Sequence, residues 1–316
     1  MSNLSSTATF LLLEFSEVRE LQILHFLMFL VVYLITVTGN LLIFFVIVLD
    51  HHLHTPMYFF LMHLAMVDLG TVSVIVPKSM AVSLTNNRSI AYFGCVAQIF
   101  LYCLFAATDM ALLTIMAHDR HVAICNPFQY ERIMHQKACL KMVAFGWVAG
   151  VLNAVLNTCG TFTINFCSNN VHQFFCEIPQ VLKLSCSDIY LIEVGVSLLA
   201  LNIGVGGFIF IIITYVKIFT VVLRIPSVHG QKKAISTCLP HLTVVSLLIF
   251  TAVFAYARPP TDASSDLGIA SAVLYTTIPP MLNPFIYSMR NNEIKTALWK
   301  LLHFDRSSKT SFPRLK

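Results

Sequence analysis

Residues 114–125 read TIMAHDRHVAIC: an apolar run breaks into Ala-His-Asp-Arg-His and then turns apolar again. Charge is expensive at the edge of a greasy helix, so Asp119 and Arg120 need a reason to stand there. The apolar run behind them starts near Cys95 and is long enough to cross a bilayer, which takes about 20 mainly apolar residues. Arg120 then falls about 37 Å along the helix from Cys95, at the opposite mouth of whatever bundle the helix joins. Asp119 offsets its charge there.

Composition extends that reading to the whole chain. Of 316 residues, 57% are hydrophobic and 11% charged, against about 25% charged in soluble domains. Polar groups are too few to cover a water-facing surface, so the chain is a membrane protein. Six further stretches qualify as spans, giving seven at 22–49, 57–84, 95–122, 139–162, 194–224, 236–257 and 268–289. Gly204, Gly206 and Gly207 in the fifth are small enough to permit close helix contact. After the last span, NNEIKTALWKLLHF (291–304) places Ile294, Ala297, Leu298, Leu301 and Leu302 on one helical face beside lysines, suited to lie on a membrane surface. The early FLLLEF (10–15) is too short for a secretory signal and lacks a basic start. Internal repeats are absent by eye. The expected fold is an all-α membrane protein, a seven-transmembrane helix bundle with a short amphipathic C-terminal helix. Its divisions are an N-terminal segment (1–21), the seven-span domain (22–290) and a tail (291–316).

Lysine and arginine set the orientation. With the N-terminus outside, five of the 20 basic residues (Arg19, Lys78, Arg88, Lys183, Arg258) are external and fifteen internal. Sidedness thus accounts for the net charge of +5, and nucleic acid is not an expected partner; membrane lipids are. The chain is expected to be multi-pass in the plasma membrane. Asn3 then becomes the better glycosylation acceptor, while Asn87 sits in a short loop close to the bilayer. Four cysteines, Cys95, Cys167, Cys176 and Cys186, fall outside, where oxidation favours two disulfides with three pairings open.

Asp68 and Asp109 lie deep in the second and third spans, where carboxylates are rare and usually functional. Asp68 is about 18 Å above the inner surface and Asp109 about 16 Å above Arg120. Asn40 and Asn283 share that layer, so four polar side chains on four helices converge. One reading is a hydrogen-bonded cluster that holds the bundle; the other is a hydrated switch layer with a monovalent cation or proton at Asp68/Asp109. Pro284 kinks the last span beside Asn283, and Tyr287 follows within a turn. Inner histidines (His51, His52, His54, His118, His121, His135) raise a histidine-iron membrane oxidase as an alternative, but their spacing does not suit ligation and no metal is expected. A transporter or channel using Asp68/Asp109 is the other alternative, weakened by the lack of repeats. No nucleophile–base pair points to an enzyme.

LHTPMYFFL (53–61), MAHDRHVAIC (116–125), KAISTCLPHL (233–242) and PMLNPFIYSMRN (280–291) resemble, in order, the signature stretches of vertebrate odorant receptors of the tetrapod type, rhodopsin-like G protein-coupled receptors. The resemblance implies a small-molecule odorant as ligand and a stimulatory, olfactory-type heterotrimeric G protein as partner, with cyclic AMP as output. It makes Asp119-Arg120-His121 the coupling motif, with Tyr215, Asn283, Pro284 and Tyr287 as switch residues. It implies disulfides Cys95–Cys176 and Cys167–Cys186. The implied pocket is Tyr102, Cys103, Ala106 and Ala107, then Leu199, Asn202 and Ile203, then Ala252, Val253, Tyr256 and Thr276. Those side chains make an apolar wall with a few hydroxyls and one amide, without a carboxylate or ammonium, so mostly neutral volatile ligands are expected. The chain departs from the family where His118 and His121 replace tyrosines, Pro240 a serine, Asp109 a glutamate, and Ile249-Phe250 an aromatic-glycine pair.

Overall fold

The structure is a computed structural model that describes residues 9–13, 15, 16, 18–186, 190–256 and 266–307. The side chains of 190–194, 196–203, 255, 256, 266, 289, 290 and 302–307 are outside that description. Asn3 also falls outside the described residues.

Seven long apolar helices are present: α1 Arg19–Leu49, α2 Pro56–Thr85, α3 Tyr92–Cys125, α4 Gln136–Phe162, α5 Tyr190–Val222, α6 Val228–Tyr256 and α7 Asp266–Arg290. In lipid every backbone N–H and C=O must be satisfied within the segment, which leaves the helix as the solution for runs of this length. The sequence places each span correctly and misplaces ends. Helix α3 runs on through Asp119, Arg120 and His121 to Cys125 and stops at Asn126, because the following Pro127 disfavours helical backbone before it. Helix α6 begins at Val228, eight residues ahead of the expected 236, so its polar first turns are helical although they are not hydrophobic.

Small residues decide where helices touch. A Cβ at Gly150 would lie 2.3 Å from Thr108 Oγ1 and 3.0 Å from the Leu104 carbonyl, so α4 meets α3 almost backbone to backbone. Gly70 accepts the Phe105 ring in the same way. The expectation for the fifth span is corrected: Gly204 and Gly206 have no such neighbour within 4 Å, and Gly207 alone of the three packs, against Met110 and Thr114. The contacts follow the partner's shape, which glycine spacing alone does not report.

The amphipathic tail forms α8, Asn292–Ser307. Asn291 breaks it from α7 and caps it, its Oδ1 accepting the Glu293 and Ile294 amides at 2.9 and 3.3 Å. Tyr58 donates to Glu293 at 2.6 Å and receives Asn291 Nδ2 at 2.6 Å, tying α8 to the start of α2. Lys300 lies 3.7 Å from Asp50, whose carboxyl the backbone N–H of His52 holds below the usual range.

At the opposite end the sequence reading misses an element. Residues Thr9–Leu11 form β1, antiparallel to β2, Ser89–Ala91. Leu11 also exchanges backbone bonds with Asn169 and Val171 at 2.8 Å, and Leu13 donates to Gln173 at 2.9 Å. FLLLEF is therefore the middle of a cap: Phe10 and Leu12 are buried among Val82, Ile90, Cys95, Ile99, Val171 and Cys176. Burying two such side chains contributes roughly 3–6 kcal/mol. We expect Phe10→Ala to cost about 3 kcal/mol and lower the melting temperature of the detergent-solubilised protein, whereas Phe93→Ala, at an 81% exposed position, leaves it unchanged. Equal melting curves for the two variants are the adverse result.

Candidate functional site

Helix α3 carries three polar levels. At its first turn Cys95 is bonded to Cys176, with Cα atoms 5.5 Å apart, and Cys167 is bonded to Cys186 in the same loop. Gln98 completes the fastening: its Oε1 accepts the Cys176 amide at 2.8 Å and its Nε2 donates to Val74 carbonyl at 3.0 Å. The loop is thus held to both α3 and α2.

Beneath the loop is a cavity of ≈ 170 Å³ lined by Ile99, Tyr102, Cys103, Asn157, Cys176, Glu177, Ile178 and Pro179. Tyr102 and Cys103 belong to the expected pocket, and Glu177, a carboxylate outside that expected set, also stands in this wall. Tyr275 of α7 donates its hydroxyl to Glu177 Oε1 at 2.5 Å and is also hydrogen-bonded to Tyr102. Among the described residues, Ala106, Ala107, Ala252, Val253 and Thr276 are not in the lining of this cavity. Thr276 is buried and donates to the Ala272 carbonyl at 2.7 Å within its own helix. Ala106 is exposed, Ala107 and Ala252 half-buried. Val253 lines a separate groove of ≈ 620 Å³ between α5 and α6 with Phe208, Tyr215 and Phe250. The side chains of Leu199, Asn202, Ile203 and Tyr256 lie outside the described residues. The α5–α6 groove is walled by exposed apolar side chains such as Phe250, Val253 and Val216, as a lipid-facing surface is.

The middle level brings two of the four expected residues, Asp68 and Asn283, into direct contact, and ties a third, Asn40, to the backbone of α7. Asn283 Nδ2 donates to both oxygens of Asp68, at 2.9 and 3.2 Å. Asn40 Nδ2 donates to the Pro280 and Thr36 carbonyls, each at 3.0 Å. Pro284 lacks the amide that would donate to the Pro280 carbonyl four residues back, so Asn40 serves that carbonyl, one turn before Asn283. Gly39 makes this approach feasible, since a Cβ there would come within 3.1 Å of Pro284. Asp109 is close enough to act on Asp68 electrostatically, and its Oδ1 is buried with no hydrogen-bond partner among the described residues. These two carboxylates are the groups that could hold a proton or a monovalent cation. Among the described residues no group of three or more His, Cys, Asp or Glu side chains is arranged to hold a metal ion.

At the far end Arg120 pairs with buried Asp119 through Nε (2.9 Å) and Nη2. Tyr130, in the short helix Tyr130–Ile133, donates to the other Asp119 oxygen at 2.8 Å, and burial pushes that phenol above its ordinary pKa. Tyr215 is hydrogen-bonded to His241 rather than to Arg120, at 2.8 Å to Nδ1. His241 Nε2 lies 2.9 Å from the Leu113 carbonyl, which accepts only, so Nε2 carries hydrogen and Nδ1 accepts from Tyr215. One fully buried imidazole thereby joins α3, α5 and α6. Tyr287 is buried with its hydroxyl unpartnered among the described residues, as is His121 Nδ1. Sequence reasoning missed Tyr130, Glu177 and His241. The readable signals were a histidine inside an apolar run (CLPHL) and a carboxylate adjoining a cysteine.

A family profile described as "Olfactory receptor" matches residues 29–304. The chain is 46% identical over 303 residues to human olfactory receptor 14A16, covering 96% of this chain and 98% of that one. It is 45% identical over 317 residues to human olfactory receptor 14J1, covering 100% and 97%. Among solved structures, squid rhodopsin superposes with a TM-score of 0.73 at 15% identity over 94% of this chain and 93% of that one, a likeness of fold.

The middle level yields a double-mutant cycle. Asp68→Ala and Asn283→Ala should be non-additive in thermal stability, with a coupling of at least about 1 kcal/mol, as expected of a buried hydrogen bond to a carboxylate. Additive losses in Tm-derived stability rule out a working contact between them.

Proposed function

Because this chain belongs to the olfactory receptor family of seven-helix membrane receptors, we propose that it binds small, mostly neutral volatile molecules in the disulfide-bearing half of the bundle. From the Arg120 end it activates a stimulatory, olfactory-type heterotrimeric G protein and raises cyclic AMP. The disulfide-bearing face, with the N-terminus, is extracellular, and the receptor works in the plasma membrane. The bias of basic residues toward the other face supports that orientation.

The observation that carries the reading is the separation of cavity and lock on one rigid helix. Cys103 and Arg120 are about 26 Å apart along α3, so a ligand cannot touch the G protein site and must act through helix positions. The inner end is built for two states: α6 is held to α3 by His241 through the Leu113 carbonyl, a neutral bond that can be exchanged. Outward movement of α6 parts His241 from Leu113, frees Tyr215 and opens Arg120 to the G protein. Asp68, Asn283 and Asn40 relay α7 movement through the middle, with Pro284 and Tyr287 at the hinge.

Arg120→Ala should keep surface expression and odorant binding while abolishing ligand-dependent cyclic AMP. His241→Phe should raise ligand-free cyclic AMP several-fold, since two hydrogen bonds of about 0.5–1.5 kcal/mol each are lost from the resting arrangement. Both are read in cells lacking other odorant receptors. Normal signalling from Arg120→Ala removes the coupling role.

A further inference from the structure

We propose that the ≈ 170 Å³ cavity beneath the second outer loop recognises a compact odorant bearing one hydrogen-bond donor, an O–H or an N–H group, which Glu177 accepts. The odorant class rests on the receptor reading above; the existence of the site does not.

The carboxylate is held in place by covalent structure. Cys176 is bonded to Cys95 at the start of α3, and Glu177 follows it directly, so the disulfide delivers this side chain to the mouth of the bundle. Glu177 is only 8% exposed. A buried carboxylate needs donors, and here Tyr275 supplies one to Oε1. A ligand donor that reaches this carboxylate competes with the Tyr275 hydroxyl for it. Because an ionised carboxylate accepts and never donates, an ether or ketone of the same shape brings lone pairs against lone pairs and is disfavoured. Specificity therefore comes from the donor, and the surrounding Ile99, Ile178 and Pro179 take the apolar body. A cavity of ≈ 170 Å³ suits a compact ligand.

The same contact gives the ligand a route to the far end. Tyr275 stands on α7 one turn before Pro279 and Pro280, and Pro280 carries the carbonyl that Asn40 holds. A ligand hydroxyl or ammonium that takes over Glu177 releases Tyr275, and α7 repacks where its prolines have removed backbone donors.

The test has two arms on the full-length protein. Cys103 lines the cavity, so its thiol reports local charge. Its modification by cationic 2-aminoethyl methanethiosulfonate is compared with neutral ethyl methanethiosulfonate, each normalised to a free thiol and followed by peptide mass spectrometry. We expect a preference of about tenfold or more for the cation, lost in Glu177→Gln. Equal normalised rates, or an unreactive Cys103, overturn the proposal. The second arm compares cyclopentanol and cyclopentylamine with methoxycyclopentane in cyclic AMP assays, beside a broad odorant panel. The two donors should act at concentrations at least about tenfold lower than the ether, and Glu177→Gln should weaken the amine more than the alcohol. If panel odorants signal while the ether equals the donors, or while all three are silent, the site is refuted. If no odorant signals but the charge preference at Cys103 stands, the receptor reading fails and the site survives.

Discussion

The Cys95–Cys176 bond is the constraint on which the outer half of this protein depends. It closes a loop across 81 residues, worth about 4–5 kcal/mol in the chain-entropy account. Its geometric effect is larger than its energetic one. With Cys176 fixed to α3, the loop must cross the bundle mouth, and Phe174 and Phe175 are driven in against Ile75 and Ala272. The same strand then offers Asn169, Val171 and Gln173 as backbone partners to the N-terminal segment. Glu177 is brought beneath the loop instead of into water. Cap, cavity and carboxylate are consequences of one cross-link and of Gln98 bracing it.

Below that cap the packing is uneven in a way that suits a switch. Helices α1 to α4 share large buried apolar surfaces and close glycine contacts at Gly70 and Gly150. Helix α6 adds Cys238, Val244 and Val245 to the same apolar cluster, and the His241 bonds to Tyr215 and Leu113 add directional ties to α5 and α3. Dispersed apolar contacts resist displacement in all directions, whereas a few directional bonds break together once their geometry is lost. The middle layer has the same character: Asp68, Asn283 and Asn40 are buried, so each bond matters and each has a limited set of partners.

What the chain's order of residues decides by itself is the set of elements. Seven apolar runs, their basic flanks and the amphipathic Ile294–Leu301 face follow from hydropathy and helical period, because a backbone in lipid has no alternative to the helix. The coincident depths of Asn40, Asp68 and Asn283 were readable for the same reason, since rise per residue converts number to height. Tertiary structure alone decided which groups at one height meet: Asn283 chose Asp68, while one Asp109 oxygen has no partner among the described residues. It also decided that Tyr215 bonds His241 and that, among the described residues, nothing lies within 4 Å of a Cβ placed at Gly204 or Gly206. Rotation about the helix axis and the tilt between helices set these pairings, and neither is encoded in spacing along one chain. The cap is the sharpest case. FLLLEF is a run of six residues with no period long enough to read, and Phe10 and Leu11 at its start join the strand Thr9–Leu11 because a disulfide-fixed loop and Ser89–Ala91 offer it edges.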